Sequence, residues 1–325
     1  MRSSPWKVLG PGSGLVGGLA IVSLFLGVSE VTPAALLDPA RASEAWSVLA
    51  VSRVPRTVAL LLAGAGLSVA GLLLQMLVRN RFVEPATVGT TESATLGMLL
   101  VLLLAPGLSV PGRMLVTAGF AMTGTGLFLL VLRAVPLRSV LMVPLIGILL
   151  SGVIGAVTTF IAWRTDMLQP LGAWTQGDFS VVLRGRYELL WIVGALVVIA
   201  ALAADRFTVA GLGRDFATGL GLNHRRVMVL GLTLVSVVSA AVLVTVGTIP
   251  FLGLIVPNIA ALWVGDNMRR ALPLSVLGGM ALVLACDIFG RWILHPYELP
   301  IGATMGVIGS MIFLTLLLRR HARVG

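Results

Sequence analysis

The sequence predicts an all-α polytopic membrane protein with ten transmembrane helices and both termini in the cytoplasm. Of its 325 residues, 58% are hydrophobic and only 11% are charged, and the mean hydropathy is +1.03. A soluble chain carries about 25% charged residues. Nine runs of at least 16 residues contain no Asp, Glu, Lys or Arg, and most are near the ~20 residues that cross a bilayer core. These runs cover residues 8–29, 57–78, 93–112, 114–132, 139–163, 189–204, 227–265, 271–286 and 299–318.

The run 227–265 is long enough for two helices. As one helix its 39 residues would extend roughly 58 Å at ~1.5 Å per residue, about twice the core thickness. Gly247, Pro250, Gly253 and Pro257 interrupt its middle, and such residues end or kink helices. We therefore predict two helices separated by a broken segment, which is a feature that often marks a translocation pathway. A re-entrant turn packed on its neighbours is the alternative.

The distribution of basic residues supports this count. With ten spans and an inner N-terminus, 15 of the 23 basic residues lie on the inner side. If 227–265 were a single span, the split would be 11 inside against 12 outside. Because basic residues concentrate on the cytoplasmic side, ten spans are favoured.

The first run, 8–29, is interpreted as a span, because no clear signal-peptidase site follows it. Two of the segments between spans are long and lie on the outer side. Residues 30–56 include a modestly amphipathic piece, and residues 164–188 are too long for a tight turn and predict an interfacial helix. The other connections are short, as between antiparallel helices.

Several functional classes are excluded by what the chain lacks. The net charge of +10 comes from arginines scattered at helix ends, with no basic face for nucleic acid. The only lysine is Lys7, so there is no phosphate-binding P-loop. Cys286 is the single cysteine, and the three histidines are far apart in sequence, so we expect no disulfide and no metal site. No nucleophile–base set indicates catalysis, and residues 1–325 are expected to form one transmembrane domain.

Two acidic residues lie closest to the lipid interior. Asp287 precedes Arg291 by four residues, so the two share a helix face, and pairing would lower the cost of a charge in the membrane. Glu92 begins the third span, where an acid suits a helix N-terminus. A role for Glu92 in the pathway remains open.

Residues 211–226 form a polar, arginine-bearing segment between two apolar runs. Leu212, Phe216, Leu220 and Leu222 fall at roughly helical spacing, and glycines interrupt the pattern. We predict two short helical turns at the membrane surface. The segment is too short for a folded domain, so its expected role is contact with another protein.

Four stretches together resemble the ferric-siderophore and cobalamin ABC importer permeases, nearest to those for catecholate-type siderophores. They read RVPRTVALLLAGAGLSVAGLLLQMLVRNRFVEPATVG, LGRDFATGLGLNHRRV, VGTIPFLGLIVPNIAALWVGDNMRRALP and ELPIGATMGVIGSMIFLTLLLRR. The resemblance extends from about residue 50 to the C-terminus and is weaker over 1–49 and 164–188. It implies the type II ABC importer permease architecture, whose ten spans agree with the count above.

The resemblance also implies roles for three groups of residues. Residues 212–226 match the segment that couples such permeases to the ATPase, with contacts from Leu212, Gly213, Arg214, Ala217, Leu220, Gly221, His224 and Arg225. Arg53, Arg56 and Arg291 match outer arginines that receive carboxylates of the binding protein, although anchoring at the interface would also explain them. Asn80, Phe82, Arg138 and Ser139 match positions near the cytoplasmic gate, with ordinary loop polarity as the alternative. Pro250 and Pro257 of the broken segment, and Asn258 beside them, complete the candidates for the gate or pathway.

The implied function is the membrane subunit of an ATP-driven importer for an iron–siderophore complex in a prokaryotic cytoplasmic (inner) membrane. Its expected partners are ATP-binding subunits that hold ATP and Mg, an extracytoplasmic substrate-binding protein, and a second permease subunit, identical or paralogous. Asn258 replaces a histidine that many relatives have, and GTTES replaces small residues. Both, with GDNMRR and HPYELPIG, resemble the subset for catecholate or mixed catecholate–carboxylate siderophores. Cobalamin import and ion-coupled secondary transport stay as alternatives.

Overall fold

The computed structural model describes residues 6–27, 32–38, 42–135 and 141–321, and within these ranges all regular structure is helical. The described residues form fifteen α-helices. In chain order they are α1 (Trp6–Phe25), α2 (Pro33–Leu37), α3 (Ala42–Val48), α4 (Val54–Val78), α5 (Thr90–Leu104), α6 (Val110–Ala134), α7 (Met142–Arg164), α8 (Leu168–Thr175), α9 (Trp191–Leu202), α10 (Ala204–Ala210), α11 (Arg214–Gly219), α12 (His224–Val246), α13 (Leu252–Val264), α14 (Met268–Ile293) and α15 (Ile301–His321).

Six of the described helices are long and apolar enough to cross a membrane, and α9 with α10, bent by 63°, makes a seventh candidate. The first of the six is continuous from Ala42 to Val78, because a π-helical turn joins α3 to α4. The apolar part of α1, together with α5 and α13, is shorter, at 10–17 residues each. The chain is therefore a multi-pass helical protein, while the ten-span count and the orientation stay predictions. We call "inner" the side that this predicted topology places in the cytoplasm.

The helix α4 lies at the centre of the core, and most of its residues are buried. Glycines allow its neighbours to approach closely. A Cβ on Gly64 would lie 2.7 Å from the carbonyl oxygen of Gly279 in α14, and one on Gly71 would overlap the backbone of Gly253 in α13. Backbone contact at small residues drives helix association in lipid, so α4, α13 and α14 form one tightly packed group.

The predicted broken segment is shorter than expected. The chain leaves helical structure only from Gly247 to Phe251, and Pro257 lies inside α13. A proline removes the hydrogen bond to the carbonyl four residues earlier, here that of Gly253. The side-chain amide of Gln75 donates to this carbonyl at 3.1 Å, so the helix tolerates Pro257, and the prediction that the break extends to it was wrong.

The helix predicted within residues 164–188 is α8. The helices α2 and α3 occupy the described part of the first outer segment, and α8 occupies the second. In the 211–226 segment, α11 has six residues, nearly two turns at 3.6 residues per turn. A left-handed turn at Gly221 (φ 78°) follows it, and the Asn223 side chain caps α12 by accepting from the Arg226 N–H at 3.1 Å.

Candidate functional site

Five charged residues meet at the outer end of α14, and we call them the outer arginine cluster: Arg53, Arg56, Asp287, Arg291 and Glu298. The Arg56 guanidinium lies 2.8 Å from Asp287 Oδ1 and 2.6 Å from Glu298 Oε2. Arg291 Nη2 lies 2.5 Å from Asp287 Oδ2. Asp287 is therefore held between two arginines, as its position within an apolar helix requires.

The same cluster closes the end of α1. Arg53 Nη1 and Arg291 Nη1 donate to the Leu26 carbonyl at 2.8 and 2.7 Å, and Arg291 also donates to the Ser23 carbonyl at 3.0 Å. Carbonyls at a helix C-terminus lack helical partners and carry partial negative charge, so they attract cations. The arginines thereby join α1 to α4 and α14.

The pairing of Asp287 with Arg291 that the sequence predicted is confirmed. The inclusion of Arg56 and Glu298 was missed, because Arg56 and Asp287 are 231 residues apart in the chain and no local pattern relates them. All three arginines are buried, at 6%, 7% and 2% exposure for Arg53, Arg56 and Arg291. Their docking to a binding protein stays a prediction, and in this conformation their guanidinium groups bind the chain itself.

A polar cavity of about 220 Å³ lies between α4, α5, α12 and the broken segment. Glu84, Glu92 and Pro250 are on its wall, so Pro250 is placed where the pathway prediction needs it. The other polar side chains on the wall come from Thr91, Thr95, Thr175, Ser239 and Thr248. A cavity beside a break in a helix is the arrangement that membrane transporters use for a pathway.

Three of the remaining gate candidates, Asn80, Phe82 and Asn258, can be placed in the structure. Asn80 is buried and accepts from the Phe82 N–H at 2.8 Å, and the Phe82 ring meets Phe313 of α15 edge-on at 6.4 Å between centroids. Asn258 Nδ2 donates to the Arg81 carbonyl at 2.7 Å. Arg138 and Ser139 lie outside the described residues.

The predicted coupling segment, residues 212–226 and called the coupling segment below, is exposed at the inner end. Three large apolar side chains face outward there, Leu212 at 55%, Phe216 at 56% and Leu220 at 63% exposure. Arg214 and Arg225 are exposed as well. Ala217 is fully buried and is the residue through which α11 rests on the rest of the protein.

Two glycines determine the shape of this segment, and a cavity lies beside it. Gly213 (φ 115°) and Gly221 (φ 78°) have left-handed backbone angles, which glycine adopts without steric cost, so both turns flanking α11 depend on glycine. A second cavity, of about 310 Å³, is lined by Gly211 and Leu212 together with residues at the inner ends of α4 and α13. His224, another of the predicted coupling contacts, begins α12.

Comparison with known proteins decides the family. The model of the FecCD transport family matches residues 15–319. This chain belongs to the FecCD transport family. Members of this family are ABC transporter permeases, so the chain is a transport subunit and not a catalytic enzyme.

Relatives within the family align along almost the whole chain. The petrobactin import system permease protein YclN of Bacillus subtilis is 45% identical over 94% of this chain and 96% of its own length. The ferric-anguibactin transport system permease protein FatD of Vibrio anguillarum is 38% identical over 93% and 95%. The vitamin B12 import system permease protein BtuC of Vibrio cholerae is 30% identical over 95% and 92%.

A solved structure shares the fold. An inward-facing metal-chelate type ABC transporter superposes with a TM-score of 0.79 at 25% identity, covering 97% of this chain and 99% of the other. The two chains therefore share their fold along nearly their whole lengths.

Proposed function

We propose that this chain is the membrane-spanning permease subunit of an ABC importer that moves an iron–siderophore complex across the cytoplasmic membrane. The single observation that carries the substrate class is the gradient of similarity among relatives. Permeases named for petrobactin and anguibactin are 38–45% identical to this chain, whereas one named for vitamin B12 is 30% identical, over comparable lengths.

The mechanism is alternating access. Separate ATP-binding subunits, which hold ATP and Mg, dock against the coupling segment, and their closure and opening tilt the helices that surround the polar cavity. The exposed Leu212, Phe216 and Leu220 support this proposal, because apolar side chains exposed together on a short surface segment are typical of a protein contact.

The assembly that we propose contains two permease subunits, identical or paralogous, in a prokaryotic inner membrane, with ten spans each and both termini inside. An extracytoplasmic binding protein delivers the substrate on the outer side. Membership in the FecCD family favours ATP-driven over ion-coupled transport.

Reconstitution in vesicles tests this function. The permease, its ATP-binding subunit and its binding protein are placed in liposomes, and uptake is measured for a ferric catecholate siderophore, a ferric hydroxamate and cobalamin. The expected result is ATP-dependent uptake of the catecholate complex. An ATPase variant lacking its P-loop lysine is the control. Uptake without ATP hydrolysis would overturn the ATP-driven mechanism, and preferential uptake of cobalamin would overturn the substrate class.

A further inference from the structure

Residues 75–84, which we call the tied segment, are joined to α13 and the residues flanking it by four polar links. The segment includes the end of α4 and the beginning of the connection to α5. From the N-terminal to the C-terminal end of α13, the links are Phe251 N–H to Glu84 Oε1 (3.1 Å), Gln75 Nε2 to the Gly253 carbonyl (3.1 Å), Asn258 Nδ2 to the Arg81 carbonyl (2.7 Å) and an ion pair between Arg81 and Asp266. The links are therefore spread over the whole length of α13.

The first link involves a carboxylate that serves two helix starts. The Glu84 side chain accepts from the backbone N–H of Thr87, which closes the short 3-10 helix Pro85–Thr87, and also from Phe251 N–H at the start of α13. N–H groups at helix starts have no helical partner, so a side-chain oxygen that accepts from them is stabilising. Glu84 is only 4% exposed, so water is not an adequate substitute for these contacts.

The residue that Glu84 holds has a strained backbone. Phe251 has φ 64°, a left-handed conformation that costs a side-chain-bearing residue roughly 1–2 kcal/mol. Such a conformation persists only where its surroundings determine it. Phe251 directly follows Pro250 on the cavity wall, so the contact with Glu84 fixes the geometry of the broken segment beside the cavity.

The inner ends of the tied segment and of α13 lie near the coupling segment. Arg81, Pro257 and Asp266 line one side of the 310 Å³ cavity, and Gly211 and Leu212 line the other. The coupling segment thus has open space between itself and α13. The coupling segment lies closer to the tied segment, since a Cβ on Gly213 would lie 3.2 Å from Arg79 Nη1. The open space therefore allows displacement of the coupling segment against α13, whereas the four polar links oppose displacement of α13 against the tied segment.

We propose that α13 and the tied segment move as one rigid body during transport, and that Glu84 is the positioning residue that fixes this body to the broken segment at Phe251. The proposal rests on the proposed function as an ATP-driven permease. It makes the predicted gate residues Asn80 and Phe82 move together with α13, because both lie within the tied segment.

Cross-linking tests the rigid body. In a Cys286→Ala background, Arg81→Cys and Asp266→Cys are joined by a flexible bis-maleimide in the reconstituted complex. The expected result is ATP-dependent uptake within about twofold of the same variant without linker. The matched control joins Arg81→Cys to Leu212→Cys across the cavity, where we expect uptake to fall severalfold. Loss of uptake on linking residues 81 and 266 would overturn the rigid body. If the unmodified complex itself failed to transport, the proposed function would be at fault instead.

Substitution of Glu84 tests the positioning role. Glu84→Gln keeps an oxygen that accepts from Phe251 N–H, whereas Glu84→Ala leaves two helix starts without this acceptor. We expect the Ala variant to lose about tenfold or more in the maximal uptake rate with the KM for substrate unchanged, and the Gln variant to stay within about threefold of wild type. Thermal melting in detergent confirms that each variant is folded. A folded Gln variant as slow as the Ala variant, or an Ala variant as fast as wild type, would overturn the role of this contact.

Discussion

The outer arginine cluster and the coupling segment both place arginines at the ends of apolar helices, but the environments of these arginines are opposite. In the cluster, Arg56 and Arg291 are 7% and 2% exposed and are bound to carboxylates of the same chain. In the coupling segment, Arg214 and Arg225 are exposed beside apolar side chains that are exposed too. The resemblance assigned both groups to docking, yet only the coupling segment offers a free surface.

The difference teaches how to separate structural from interacting charges in a membrane protein. A charge that is buried must be paired, and removing its partner costs far more than the pair contributes. A charge that stays exposed costs little and is available to another protein. We therefore expect substitutions in the cluster to reduce stability first, and substitutions in the coupling segment to reduce partner binding without unfolding.

The largest effect is expected for Asp287→Asn. Asp287 neutralises both Arg56 and Arg291, so its loss leaves buried guanidinium groups with too little negative charge and destabilises the fold by about 3–5 kcal/mol. Thermal melting and the yield of folded protein in detergent measure this effect.

The control for this substitution is Asp166→Asn, at an exposed outer residue with φ 57°, a conformation that Asn accepts readily. It should change stability by less than about 0.5 kcal/mol. Equal stability of the Asp287→Asn and Asp166→Asn proteins would mean that the cluster is not a structural element, and the comparison would fail.

The second prediction concerns charge at the inner end. Arg214→Glu combined with Arg225→Glu should weaken binding of the ATP-binding subunit roughly a hundredfold. Groups on the ATP-binding subunit that attract these two arginines would repel two glutamates, and like charges brought together at an interface cost several kcal/mol. ATPase activity should then no longer depend on substrate, and uptake should stop.

The matched control reverses two exposed outer arginines, Arg164→Glu with Arg186→Glu, so that net charge changes equally. It should leave ATPase binding, measured by pull-down in detergent, within about twofold. Normal uptake in the inner double variant would count against the coupling segment as the docking surface.

The third prediction isolates the apolar part of the coupling segment. Phe216 is 56% exposed, so Phe216→Ala should not alter the melting temperature of the isolated permease. As an aromatic residue at a proposed interface it should contribute about 2 kcal/mol to association, about thirtyfold in affinity. Thr218→Ala, on the same helix and also exposed, is the matched control. Equal affinity of the Phe216→Ala and Thr218→Ala proteins would show that Phe216 does not contact the ATPase.

The sequence predicts the helices and the break between two of them better than it predicts the contacts between helices. Hydropathy and charge placement predicted a multi-pass helical protein, and glycine and proline spacing predicted the broken segment. The i,i+4 spacing predicted the pair of Asp287 with Arg291. Each of these signals is local in the chain.

The rest could not be read from the sequence, because it depends on residues brought together by folding. The stabilisation of Pro257 inside α13 comes from Gln75, 178 residues before the carbonyl that it satisfies. Glu84 lies in a polar connection, and nothing in the local sequence predicts its contact with Phe251, 167 residues away. Burial of Arg53 and Arg56 was missed for the same reason, since a flanking arginine is usually an interfacial anchor.

The smallest effect is expected for Glu298→Gln, which tests whether Arg56 docks the binding protein. The Glu298 side chain is 22% exposed and is the outermost partner of Arg56, so Glu298→Gln should cost at most about 1 kcal/mol of stability. If Arg56 also receives a carboxylate of the binding protein, Glu298 competes with that carboxylate. The affinity of the Glu298→Gln permease for the binding protein, measured by titration in nanodiscs, should then rise up to about fivefold. Glu188→Gln, at another outer position, should leave the affinity unchanged. Weaker binding of the Glu298→Gln protein would instead make Glu298 itself part of the docking surface, and Arg56 would then be a structural residue only.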